Sequence, residues 1–147
     1  MSARKLVSVC ALALTVGLAG CASGSDDEAG IVVSDAWVRA TPPVTNVAAF
    51  YFTVENNGDV ADALIAASSP SCAQMEVHES VLEGDVAGMD QVARVDVAAG
   101  QRVVFEPSGL HLMCLGLVAP LNVGDTVSVL AEFEHAGSLN ISVTAVD

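Results

Sequence analysis

The sequence predicts a single all-β domain, a two-sheet antiparallel β-sandwich, and three observations predict it. Val, Ile, Phe, Tyr and Thr recur in short runs from Ile31 onward. Turn formers punctuate these runs at Asn56-Asn57-Gly58-Asp59, Glu83-Gly84-Asp85, Ala99-Gly100, Pro107-Ser108-Gly109, Val123-Gly124-Asp125 and Ala136-Gly137. No stretch joins helical periodicity to capping signals over a helix's length. The first strand is expected at 31–38, and the second, at 46–55, closes on the Asn-Asn-Gly turn. The third is expected at 61–68 and the fourth, at 74–80, precedes the Glu-Gly-Asp turn. Strands at 91–97 and 102–106 flank Ala99-Gly100, and one at 111–117 follows Pro107-Ser108-Gly109. The last two, 126–134 and 138–146, lie on either side of Ala136-Gly137. Alternation is clearest at the end of the chain, where Leu139, Ile141, Val143 and Ala145 interleave with Ser138, Asn140, Ser142 and Thr144. That pattern gives one buried and one wet face. No internal repeat and no second domain is apparent.

The first twenty residues read as a leader rather than as part of the fold. Arg4 and Lys5 precede the apolar stretch Leu6 to Leu18, too short for a spanning helix, which needs about 20 residues. Leu18-Ala19-Gly20-Cys21 follows and resembles a lipobox, in which the Cys becomes the acylated N-terminus. Cys21 is thus the expected lipidation site, with 1–20 as signal peptide. Acyl chains on one Cys anchor a protein without a transmembrane segment. Residues 21–30 continue as an acidic, small-residue tether, of which Ala22 to Gly30 spans about 15–18 Å. The expectation is an exported protein, lipid-anchored on the extracytoplasmic face of the cell membrane, with the folded domain at 31–147.

Charge narrows the function further. Two of the five basic residues lie in the leader, so three remain against 18 acidic ones, a formal charge of −15 with no Lys. Such a surface repels phosphate backbones and excludes nucleic acid as a partner. Cys10 belongs to the leader and Cys21 to the anchor, which leaves Cys72 and Cys114 as a possible disulfide in an oxidising compartment. Their bond closes a loop of about 43 residues, worth about 4 kcal/mol as an upper figure.

The remaining signal is a cluster of metal donors. The mature chain has three Met and three His, and Met75, His78, Met89, His111 and Met113 all fall within one stretch. Thioether sulfur is soft and holds Cu(I) well, whereas imidazole suits copper of either charge. A His/Met set without thiolate points to copper held reversibly where Cys would be lost to disulfides. His111 and Met113, two apart on a strand, leave the same face. His78 lies ahead of the Glu83-Gly84-Asp85 turn and Met89 beyond it, on a stretch read as a loop that folds over the metal at one end of the sandwich.

The spacing of His78, Met89, His111 and Met113 matches H-x(10)-M-x(21)-H-x-M, the signature of the PCu(A)C copper-chaperone family, which this sequence resembles. Ala36-Trp37-Val38-Arg39-Ala40-Thr41-Pro42-Pro43 is similar to the family's opening strand. Ala48-Ala49-Phe50-Tyr51-Phe52 with Asn56-Asn57-Gly58 resembles its second strand and turn. Gly109-Leu110-His111-Leu112-Met113 and Pro120-Leu121-Asn122-Val123-Gly124-Asp125 resemble its ligand strand and following turn. The resemblance implies a cupredoxin-like β-sandwich that carries Cu(I) outside the cytoplasm; a monomer is expected, with Cu(II) as a second state of the metal. It also implies delivery to a haem-copper oxidase subunit, directly or through a thioredoxin-like copper chaperone. Asp90 stands where relatives often have a basic residue, and Cys114 where they usually have an apolar one.

Other residues take plainer readings. Met75, three residues from His78, faces the core. His135 is a solvated hairpin residue and Trp37 a core or edge aromatic. Glu76 shares the face of His78 and is read as a solvated carboxylate rather than as the partner that orients the imidazole. No nucleophile–base set accompanies Ser71, Ser80 or Ser108, so binding rather than catalysis is expected. Three alternatives compete with delivery: copper storage, a thiol–disulfide partner in oxidase maturation, and a metal-free lipoprotein. A blue-copper site is disfavoured because no Met follows Cys114.

Overall fold

A computed structural model describes residues 30–147, and within them every regular element is a strand. The leader, Cys21 and nearly all of the tether lie outside the described residues. The strands are β1 (Ile31–Arg39), β2 (Val47–Asn56), β3 (Asp62–Ser68), β4 (Cys72–Glu83), β5 (Val86–Gln91), β6 (Val95–Val97), β7 (Arg102–Phe105), β8 (Leu110–Leu117), β9 (Thr126–Phe133) and β10 (Gly137–Val146). The all-β class stands, but the expected strand at 91–97 does not. Its first residue belongs to β5 and its last three form β6. The stretch read as a loop around Met89 is itself a strand, the second arm of a hairpin with β4. Its sequence Val-Ala-Gly-Met-Asp-Gln lacks apolar alternation, and every residue of β5 is exposed, so there was no buried face to reveal it.

The strands run in the order β5-β4-β8-β2-β1-β10-β9-β3-β6, with β7 paired to the far half of β2. All pairs are antiparallel except β1 with β10. The sheet folds over so that β3 approaches β4, enclosing a core led by Phe50, Phe52, Phe105, Leu64 and Leu112. The rings of Phe52 and Phe105 stack with centroids 4.3 Å apart across the β2–β7 pair. Each such side chain contributes about 1.5–3 kcal/mol by leaving water. Polar groups caught in this interior are satisfied. Asn56, 3% exposed, donates from Nδ2 to the carbonyls of Val60 at 2.8 Å and Val97 at 3.0 Å. Its Oδ1 accepts from Gly58 N, which fastens the Asn-Asn-Gly turn. Asp62 accepts from the backbone N–H groups of Ala63, His135 and Ala136, tying β3 to the β9–β10 hairpin.

Two local departures from regular strand shape the site. β1 carries a bulge between Ser34 and Trp37, where Asp35 takes φ 53°. One extra residue reverses the alternation: Ile31 faces inward before the bulge, and Val38 faces inward after it. Trp37 and Arg39 are thereby turned to the outer face. In β8, Gly116 has φ 67°, and a Cβ there meets the Cβ of Ala73 at 2.7 Å. Only glycine lets β8 lie this close to β4. The structure also joins Cys72 to Cys114 in a disulfide with 5.5 Å between the Cα atoms, pinning the same two strands.

Candidate metal centre

The pairing registers bring all four expected donors to one sheet face. His78 on β4 is the direct partner of His111 on β8. Met113 is two residues along β8 from His111 and pairs with Glu76, which is two residues along β4 from His78. Met89 on β5 pairs with Ser80, again two residues from His78. Since side chains alternate with a period of two, His78, His111, Met113, Met89, Glu76 and Ser80 all project from the same face. The neighbours of opposite parity, Val77, Leu112 and Cys114, are buried in the core. The donors therefore occupy the face of β5-β4-β8 that turns away from the core, rather than a cluster of loops at the sandwich end.

Each imidazole is held by a different device. His111 is 4% exposed, and its Nδ1 lies 3.0 Å from the carbonyl of Gly109. That carbonyl also accepts the backbone N–H of Ser80 at 3.2 Å, so one oxygen ties the loop before β8 to β4 and to the His111 ring. The loop is tight: Gly109 N donates to Glu106 O, Glu106 N donates to Leu110 O, and Ser108 takes φ 67°. With Nδ1–H engaged, His111 offers Nε2 to a ligand. His78 sits on the continuous strand β4, its Nε2 2.9 Å from Oε2 of Glu76. The expectation of a solvated carboxylate at Glu76 fails. Its side chain is 18% exposed, and Gln74 Nε2 donates to its other oxygen at 2.6 Å. The alternation Gln74-x-Glu76-x-His78 was the available signal, because it places three polar groups in a row on one strand face.

The fit to a metal ion rests on the structure's own polar atoms. Nδ1 of His78 is buried and has no hydrogen-bond partner, the one such side-chain atom among the described residues. A lone pair kept from water without a partner is costly unless a ligand completes it. The two rings stand 6.0 Å apart between centroids at an interplanar angle of 69°. A metal about 2.0 Å from a ring nitrogen would sit about 3 Å from that ring's centroid, so the separation of the two rings would suit a single ion. Two thioethers share the face: Met113 is half-buried on the central strand, and Met89 is 56% exposed on the edge strand. Two imidazoles and two thioethers form a soft, uncharged set that suits a monovalent soft cation better than Mg, Ca or Zn.

The other residues fall outside this cluster. Met75 packs against the core, as expected from its parity, and His135 lies 61% exposed beside Glu134. Cys114 is fully buried on the core side and bonded to Cys72, so its sulfur is not presented to the donor face. Trp37 packs against Tyr51 with centroids 4.4 Å apart and ring planes tilted by 36°. Since Tyr51 lies two residues from Ala49, the partner of Met113, this aromatic pair continues the donor face across β2 and β1.

Known proteins share this architecture. The family model described as "Putative lipoprotein LpqE-like" matches residues 31–145. A protein of Leifsonia xyli subsp. xyli described as "Putative lipoprotein Lxx21020" is 28% identical over 153 residues, covering 98% of this chain and 91% of that one. The solution structure of CuI-DR1885 from Deinococcus radiodurans is 30% identical with TM-score 0.63, covering 78% of this chain and 76% of that one. The copper-bound PCuAC domain from PmoF2 is alike in fold, with TM-score 0.68 at 23% identity over 78% of this chain and 91% of that one. The family match spans all ten strands, and the chain belongs to the LpqE-like family of PCuAC-type β-sandwich domains.

Proposed function

We propose that this chain is an extracytoplasmic copper(I) metallochaperone that binds one copper ion with His78, Met89, His111 and Met113 and passes it on. The observation that carries this reading is the register that sets His78 opposite His111, with Met113 and Met89 one pair away on the same face. Uncharged soft donors hold Cu(I) without the permanence of thiolate, and two thioethers in four favour the cuprous over the cupric state. The copper-loaded relatives and the lipoprotein descriptions of the family and the Leifsonia protein support the same picture. In this reading Cys21 is acylated, the leader 1–20 is removed, and 21–30 tethers a monomeric domain to the outer side of the membrane. The recipient is a haem-copper oxidase subunit, reached directly or through a thioredoxin-like copper chaperone. The protein acts by binding and release, with no catalytic step. Competition titration with a Cu(I) chelator tests the core of the reading, and one tightly held Cu(I) per chain is the expected result. Absence of stoichiometric Cu(I) binding overturns it.

A further inference from the structure

We propose that Glu76, braced by Gln74, is a positioning residue that fixes His78 as its Nε2–H tautomer, so that the metal receives Nδ1 of His78 and Nε2 of His111. This rests on the copper reading above and adds to it which atom of each ring is the donor and what holds it there. Nε2 of His78 lies 2.9 Å from Oε2 of Glu76 while Nδ1 has no partner, so the geometry places the ring proton on Nε2. Nδ1 is then a bare lone pair, and it is the atom found buried without a partner. Glu76 is itself fixed, because Gln74 Nε2 donates to its Oε1 at 2.6 Å. The row Gln74–Glu76–His78 thus runs along one face of β4 and ends on the unpaired nitrogen. His111 is set the opposite way round: Nδ1 lies 3.0 Å from Gly109 O, and Nε2 is left for the metal. A carboxylate on the far nitrogen of a ligating imidazole orients the ring and raises its basicity. A backbone carbonyl does the same more weakly, so the two imidazoles are unequal donors, with His78 the stronger.

Nitrogen NMR of the labelled protein, recorded before and after adding one equivalent of Cu(I), tests this directly. In the metal-free protein the His78 Nε2–H proton is expected to be visible and slow to exchange, and to vanish in Glu76→Ala. On loading, the coordination shift is expected on Nδ1 of His78 and Nε2 of His111. A shift on Nε2 of His78 overturns the proposal while leaving the copper reading intact, whereas no shift on either ring overturns the copper reading itself. Glu76→Ala is expected to weaken Cu(I) binding about 10–100-fold, the range for losing a partner of a ligand. Glu76→Gln, whose amide oxygen still accepts the Nε2–H, is expected to restore most of it. Equal affinities in Glu76→Ala and the unaltered protein also overturn the positioning role.

Discussion

The two sides of the donor face are built differently. β8 runs between β4 and β2, is crosslinked through Cys114 and keeps His111 almost wholly from solvent. β5 is an edge strand paired only with β4, every residue on it is exposed, and Met89 is 56% open to solvent. A site with two equally rigid sides would hold an ion well and release it slowly. Here the two inner strands β4 and β8 each fix one imidazole, while the edge strand carries the more exposed Met89. Local opening costs least where few apolar contacts hold a strand. In the proposed copper reading this contrast separates tight binding from exchange, with His78, His111 and Met113 setting affinity and Met89 the rate at which a partner can enter.

Four changes break or sharpen that contrast. The largest effect is expected from His111→Ala, which removes a central-strand donor and should cost Cu(I) affinity more than the roughly 100-fold seen on losing a ligand's partner. A chelator competition giving less than about a tenfold loss would remove His111 from the donor set. Replacing both Cys72 and Cys114 by Ser frees β8 from β4 and should cost about 2–4 kcal/mol. In a domain of this size that lowers Tm by about 10 °C in a thermal melt. An unchanged Tm would show that the ladder alone holds the wall.

Asp62 gives a control far from the metal face. Burial pushes its carboxyl up, but the N–H groups of His135, Ala136 and Ala63, with the nearby His135 charge, outweigh that and hold it below the ordinary carboxylate value. A carboxyl lowered in the folded state contributes stability that is complete above its unfolded value, about pH 4, and is lost as pH falls through the folded value. Asp62→Asn should therefore cost about 1–3 kcal/mol at neutral pH and flatten the acid limb of the stability curve, without altering Cu(I) affinity. An equally steep acid limb in denaturant titrations of the variant would assign the acid sensitivity elsewhere. The smallest change is expected from Met89→Ala, with stability within about 0.5 kcal/mol and affinity down about tenfold, equivalent to about 1.4 kcal/mol. Stopped-flow transfer to a chelator should show that loss in the off-rate, and a change confined to the on-rate would contradict the edge-strand gate.

How much of this was legible in the sequence follows from where side chains are buried. β9 and β10 were read within one residue because their alternation faces a core. The grouping of His78, Met89, His111 and Met113 on one face was legible through chemistry and spacing, since few His and Met lie in the chain. β5 was not, because an exposed hairpin arm has no hydrophobic period to show. Its turn was visible, however: Gly84, with φ 64°, takes the first corner of a two-residue connection between Glu83 and Val86, a position that favours glycine. The bulge at Asp35 was hidden for a related reason, since one inserted residue leaves the local composition of a strand unchanged. Glu76 was misjudged because parity placed it beside His78 but could not say that Gln74 would hold it there.

In the proposed anchoring through Cys21, the placement of β1 has a mechanical consequence. A pull applied at Ile31 along β1 loads bonds to β2 that lie across the strand axis. Near Trp37 to Arg39 the strand is gripped from both edges, by β2 and by the parallel β10. Such a pull must shear a whole paired stretch at once instead of peeling it bond by bond. The domain can be jostled by passing partners while its outer face keeps its alignment.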